Sequence, residues 1–108
     1  MRDDVRVYGD FHGVTPEIYE QLKDHIPFEQ IDYDGVMLRV DHEGMFLDVD
    51  DFLEMVVRLM PPDAWGALDY IDHVEWEVTR YTIRNGEIKS KTIPADNVLD
   101  AHQREHGL

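Results

Sequence analysis

The dipeptide Asn85-Gly86 lies between two runs rich in β-branched and aromatic residues, and it constrains the fold more than any other stretch. Asn and Gly readily take the two positive φ angles of a type I′ turn, whose twist matches that of the strands it joins. The sequence therefore predicts a β-hairpin over residues 72–94. The opposite pairs of this hairpin are predicted to be Arg84 with Glu87, Ile83 with Ile88, Thr82 with Lys89, Tyr81 with Ser90, Arg80 with Lys91 and Val78 with Ile93.

The apolar residues at the base of this hairpin and those at its tip lie on opposite faces, because side chains alternate along a strand. The base residues of the first strand are Val74, Trp76 and Val78, and the apolar tip residues are Tyr81, Ile83 and Ile88. A bulge or a strong twist near Thr79 and Arg80 would return both sets to one core. Alternatively, the tip protrudes and contacts another molecule.

Basic residues are concentrated on the same hairpin. Of the ten Lys and Arg residues in the chain, four lie there: Arg80, Arg84, Lys89 and Lys91. The predicted register places these four side chains on one face of the hairpin. They either pair with acidic helices of the same molecule or steer association with an acidic surface, including that of a second copy.

The rest of the chain is acidic, and the formal net charge is −14. Such a surface repels phosphate groups, which argues against direct binding to nucleic acid or to anionic membranes and favours a basic protein partner. Alternatively, the acidity reflects a salty cytoplasm or a codon bias of the source organism. The acidic residues proposed as partner contacts are Asp32, Asp34, Asp41, Glu43, Asp48, Asp50, Asp51 and Glu54.

Length and composition predict one compact domain over residues 1–108. The chain has no cysteine, which excludes disulfides and thiolate nucleophiles. No stretch has the length of a signal peptide core or of a membrane-spanning helix, so a cytoplasmic protein is the expectation.

Outside the hairpin, the pattern alternates between strands and helices. It predicts a strand from Val5 to Phe11, a helix capped by Thr15-Pro16, a second hairpin with strands 36–40 and 45–47, and a core helix capped by Asp48. Residues 63–70 are predicted to form a short helical turn, and residues 95–106 a final helix. The expected fold is α+β, a single antiparallel sheet of about five strands in the order β-α-β-β-α-β-β-α, with helices on one face.

Specific catalytic motifs are absent or incomplete. His102 and His106 fit the spacing of a His-x-x-Glu-His zinc helix, but the chain ends two residues later without a third ligand, so the pair is only a weak candidate for metal. Helix capping explains the carboxylates at 48–51 without a metal ion. Neither a cofactor nor an enzymatic activity is predicted, although Asp10 with His12, or Asp72 with His73 and Glu75, would be the first acid–base candidates.

Three classes of function follow from these observations. The first is a protein-binding module, such as an immunity protein or a nucleic-acid-mimicking inhibitor of a basic partner. The second is a self-assembling subunit joined through the basic hairpin. The third is an enzyme that uses metal or a His and carboxylate pair.

Overall fold

The alternating apolar residues near the start of the chain form the central strand of the sheet. The computed structural model describes residues 4–94, and in it Val5, Val7 and Phe11 lie on the buried face of this strand, each with an exposed fraction of 0%. One neighbouring strand pairs with it on each side, so its backbone hydrogen bonds are satisfied along both edges.

Six antiparallel strands make one sheet in the order β2-β3-β1-β4-β5-β6. The strands are β1 (Val5–His12), β2 (Gln30–Tyr33), β3 (Met37–Gly44), β4 (Trp65–Asp72), β5 (Glu77–Arg84) and β6 (Glu87–Pro94). The helices are α1 (Pro16–Leu22), which continues into a 3-10 turn (Lys23–His25), and α2 (Asp50–Leu59). The predicted α+β class with a single antiparallel sheet is confirmed, but the sheet has six strands instead of the expected five, in a different order.

Both helices pack on the same face of the sheet. The ring of Phe52 on α2 makes edge contacts with Phe11 on β1, at 5.8 Å between centroids, and with Phe28, at 5.2 Å. Tyr19 on α1 stacks on Tyr33 of β2 at 4.2 Å, and the Tyr33 hydroxyl donates a hydrogen bond to the carbonyl of Val14. The buried aromatic and aliphatic side chains between the two layers form the hydrophobic core.

The predicted second hairpin is wrong. Residues 41–44 do not turn but continue β3, because the eight residues of β1 pair with β3 along its whole length, from Val5 opposite Gly44 to His12 opposite Met37. The other partner of β3 is Gln30–Tyr33, where no strand was predicted. Met45, predicted to lie in the returning strand, is 72% exposed beyond the end of β3.

Residues 63–70 do not form the predicted helical turn, since β4 occupies Trp65–Asp72. Gly66, Leu68 and Tyr70 alternate with outward residues on this strand and are buried beneath the helices. The strand supplies the second partner that β1 requires, so pairing with the central strand outweighs a weak local preference for helix.

The predicted register of the β5–β6 hairpin is confirmed at every pair. Asn85 and Gly86 have φ of 54° and 74°, as a type I′ turn requires. The pairing of β5 with both neighbours is continuous, so the expected bulge near Thr79 is absent. Val74 and Trp76 precede the strand, which begins at Glu77, and Trp76 has φ of 57°. Val78 lies within the strand and remains on the face opposite to Tyr81 and Ile83.

The start of α1 agrees with the prediction, whereas the start of α2 differs by one residue. Thr15 caps α1 as predicted, with its Oγ1 accepting a hydrogen bond from the Ile18 amide at 3.3 Å. Val49, not Asp48, occupies the N-cap position of α2, and Asp48 instead accepts a hydrogen bond from the Asp50 amide at 2.9 Å.

The predicted helix at residues 95–106 lies outside the described residues. No helix within residues 4–94 is long and apolar enough to span a membrane.

Candidate protein-binding surface

The face of the sheet opposite the two helices is not covered by another element within residues 4–94, and we call it the open face. Because side chains alternate along each strand, the observed registers assign every strand residue to one face or the other. Tyr8 and Trp65 lie on the open face with exposed fractions of 40% and 49%. Charged, polar and aromatic side chains occupy much of this surface, whereas the core beneath the helices is apolar.

Strands β2, β3 and β1 carry most of the carboxylates of the open face, and we call their part of it the acidic half. Its charged residues are Asp32 on β2, Arg39, Asp41 and Glu43 on β3, and Arg6 and Asp10 on β1. Two of the carboxylates are paired, since Arg6 lies 3.7 Å from Asp41 and Arg39 lies 3.5 Å from Asp10. Asp32 and Glu43 have no ion-pair partner among the described residues and are exposed. A groove of about 410 Å³ lies between these strands.

Strands β5 and β6 form the basic half of the open face. Its charged residues are Arg80 and Arg84 on β5 and Glu87, Lys89 and Lys91 on β6. The predicted clustering of the four cations on one face is therefore confirmed. Within residues 4–94 these cations do not pair with helices, because α1 and α2 lie on the opposite face. In the part of the chain that the structure describes, Lys89 and Lys91 have no ion-pair partner.

An ion pair on the open face connects the central strand β4 to β5. Asp69 on β4 accepts two hydrogen bonds from the Arg80 guanidinium, at 2.7 and 2.9 Å. The side chain of Asp69 is only 11% exposed, whereas that of Arg80 is 65% exposed. The two hydrogen bonds to Asp69 hold the Arg80 guanidinium in a fixed orientation on the surface. Burial raises the pKa of the neighbouring Tyr8 hydroxyl, and the negative charge of Asp69 raises it further.

The unequal burial of this pair predicts an unequal response to mutation. Arg80→Ala leaves the buried Asp69 carboxylate unpaired, which we expect to lower the free energy of unfolding by about 1–3 kcal/mol. Asp69→Ala leaves a guanidinium that water can solvate, so we expect a smaller loss, about 1 kcal/mol or less. Urea unfolding of both single variants and the double variant measures these losses in the free energy of unfolding. The double variant is expected to be more stable than Arg80→Ala alone, and equal losses in the two single variants would contradict the explanation.

The predicted acidic contacts do not form one surface. Asp32, Asp41 and Glu43 lie on the open face, whereas Asp48, Asp50, Asp51 and Glu54 lie at the start of α2 on the opposite side of the sheet. Asp34 stabilises the turn between β2 and β3, where its Oδ1 accepts hydrogen bonds from the amides of Met37 at 2.7 Å and Val36 at 2.9 Å. These two hydrogen bonds lower the pKa of Asp34.

The apolar tip of the hairpin is part of the core and does not protrude. Ile83 is 2% exposed, and Tyr81 and Ile88 pack against the core cluster from the helix-covered face. The prediction that these three side chains contact a partner is therefore wrong. Pairing of β5 with β4 explains the difference, because it places the hairpin tip beside Gly66 and Leu68.

The candidate acid–base residues take up structural positions. His12 lies on β1 and stacks on Trp65, with the ring centroids 3.8 Å apart and the planes 9° from parallel. Asp72 accepts hydrogen bonds from the amides of Val74 and Glu75 in the β4–β5 turn, each at 2.9 Å. Among residues 4–94, no group of three or more His, Asp or Glu side chains is arranged to hold a metal ion. The weak metal candidates His102 and His106 lie outside the described residues.

Sequence reasoning missed the aromatic part of this surface. Tyr8, Asp10, His12 and Trp65 share the open face of β1 and β4, and Arg6 lies over the Tyr8 ring at 5.2 Å. The alternation of Arg6, Tyr8 and Asp10 with the buried Val5 and Val7 was a usable signal. The contribution of Trp65 was hidden, because its strand was predicted to be helical.

A scan against protein-family models and searches of curated proteins and of solved structures found no match to this chain.

Proposed function

We propose that this chain is a protein-binding module that acts as a stoichiometric antagonist of a basic partner, as an immunity protein or a nucleic-acid mimic does. The observation that carries the proposal is the open face: a broad sheet surface with exposed aromatic side chains and a carboxylate-rich half. The proposed setting is the cytoplasm.

The chemistry of the open face fits recognition of a protein. Exposed Tyr and Trp side chains are enriched at interfaces, where they provide a large contact area with little loss of conformational entropy. Asp32 and Asp10 both lie opposite Arg39, and Asp41 is diagonal to both, so carboxylates on neighbouring strands lie about 7–8 Å apart across the sheet. Carboxylates spread over three strands in this way can pair with several cations of a basic surface.

Within the acidic half, Asp32 and Glu43 support the proposal most directly. Arg6 and Arg39 already neutralise Asp41 and Asp10. Asp32 and Glu43 are exposed and lack such partners in the described chain, so their charges are available to another molecule. A partner arginine or lysine that reaches them exchanges hydration for an ion pair at the rim of the interface.

The test compares capture of proteins by two variants of equal net charge. Asp32→Lys with Glu43→Lys alters the open face, and Asp51→Lys with Glu54→Lys makes the same change in charge on exposed positions of α2. Each immobilised protein is exposed to a lysate of the source cells, and bound proteins are identified by mass spectrometry. We expect a basic protein to bind the unmodified chain and the α2 variant, and to bind the open-face variant at least tenfold more weakly, about 1.4 kcal/mol.

The captured protein is then purified and titrated against the unmodified chain at increasing salt. We expect its affinity to fall as salt screens the opposite charges. If the open-face variant and the α2 variant lose affinity equally, the partner recognises the net charge of the chain and not its open face. An acidic or neutral partner, or an affinity insensitive to salt, would contradict charge-based antagonism.

A further inference from the structure

The charges without an ion-pair partner among the described residues are opposite on the two halves of the open face. Asp32 and Glu43 give the acidic half two negative charges, and Arg84, Lys89 and Lys91 outnumber Glu87 by two on the basic half. The midline of the sheet runs between β1, the inner strand of the acidic half, and β4. A surface divided in this way is complementary to itself.

We propose that two copies of this chain pack through their open faces about a twofold axis that runs parallel to the strands and passes between β1 and β4. This rotation places β5 and β6 of each copy over β3 and β2 of the other, so the acidic half of each faces the basic half of its partner. A twofold axis perpendicular to the strands in the same plane would instead place like halves together. The charge pattern thus selects one arrangement among the symmetric ones.

The open face is large enough for such a dimer. Five strands of eight residues and the four-residue β2, spaced about 4.8 Å apart with about 3.3 Å for each residue, span about 700 Å². Two such faces together bury about 1,400 Å², which lies within the range for specific protein–protein interfaces.

The distribution of side chains also matches the anatomy of an interface. Tyr8, Trp65, Ala67 and Ile71 lie on the two central strands together with His12 and the charged Arg6, Asp10 and Asp69, and the unpaired charges lie on the outer strands. The three central charged residues are each already paired within their own copy, so their burial leaves no charge unpaired. Aromatic side chains at the centre and available charges at the rim are usual in protein interfaces.

The proposed dimer does not depend on the proposed function, but the competition described next rests on that function. In the dimer, the basic half of the second copy occupies the acidic half that a basic partner would bind. The partner and the second copy therefore compete for one surface, and the dimer is a resting state from which the partner releases a monomer.

Exchange of charges tests the dimer without any partner protein. Added salt is a poor test, because it screens both the attraction between opposite halves and the repulsion between two chains of net charge −14. Lys89→Glu with Lys91→Glu makes both halves acidic, and Asp32→Lys with Glu43→Lys makes both halves basic. We expect the unmodified chain to sediment as a dimer and each variant alone to be a monomer at the same concentration.

Mixing the two variants is the decisive step. Both contacts of the mixed dimer are again between opposite charges, so we expect a one-to-one heterodimer by sedimentation velocity and light scattering. The α2 variant with Asp51→Lys and Glu54→Lys should remain dimeric, and circular dichroism establishes that each variant is folded. A monomeric unmodified chain, a dimer that neither variant disrupts, or a mixture that stays monomeric would each overturn the proposed dimer, and none of these results bears on capture of a basic partner.

Discussion

Replacing Phe52 with alanine is expected to lower the free energy of unfolding by about 3–5 kcal/mol, because a large buried ring is lost and a cavity remains. Phe52 is 3% exposed and lies between the rings of Phe11 and Phe28, so it joins α2 to the central strand and to the segment after α1. Chemical unfolding followed by circular dichroism measures the loss.

Phe46→Ala is the matched control for this experiment. The Phe46 ring is 67% exposed and makes an edge contact with Tyr70 at 5.7 Å. Because most of the ring already contacts water, we expect a loss of about 1 kcal/mol or less. Equal losses for the two variants would mean that the aromatic cluster around α2 does not hold the layers together.

Gly9→Ala is expected to destabilise the fold by about 3 kcal/mol, at the upper end of the usual cost of overpacking. A Cβ atom at this position would lie 2.5 Å from the carbonyl oxygen of Ala67 and 2.9 Å from the Cα of Leu68. Both atoms belong to the backbone of β4, so no side-chain rotation relieves the contact, and the two central strands must separate. The loss is measured by the same unfolding experiment.

Gly86→Asn is the control for the loss of a glycine. A Cβ atom at Gly86 has no neighbour within 4 Å, and asparagine tolerates the positive φ of 74° that this turn position requires. We expect a loss of about 1 kcal/mol or less. A Gly9→Ala protein as stable as the Gly86→Asn protein would show that β1 and β4 are not as closely paired as the structure has them.

Local chemistry predicted the β5–β6 hairpin, whose register is set by two turn residues. Asn85-Gly86 admits few conformations, and once the loop length is known every opposite pair follows by counting. The same counting placed Arg80, Arg84, Lys89 and Lys91 on one face. The basic half of the candidate surface was therefore predictable from the sequence.

Non-local pairing accounts for the errors elsewhere. Asp41-His42-Glu43-Gly44 has the composition of a turn, yet β1 pairs along all of it, and His42 is 9% exposed on the buried face. Its Nε2 lies 3.1 Å from the carbonyl of Met45, a partner that local sequence patterns do not identify. The acidic half of the open face depends on this pairing. Its acidic residues could be named from the sequence, but their position on one face of the sheet could not be predicted.

The order of the strands has a kinetic consequence. The meander β4–β5–β6 is joined by short turns and can pair locally, whereas β1 at the start of the chain must wait for β4, where Val5 meets Asp72. Pairings between residues so distant in sequence form slowly, since a long loop must close before they contribute to stability. The pairing of β1 with β4 is the midline of the open face, so the surface proposed to bind a partner exists only after most of the chain has been synthesised and folded.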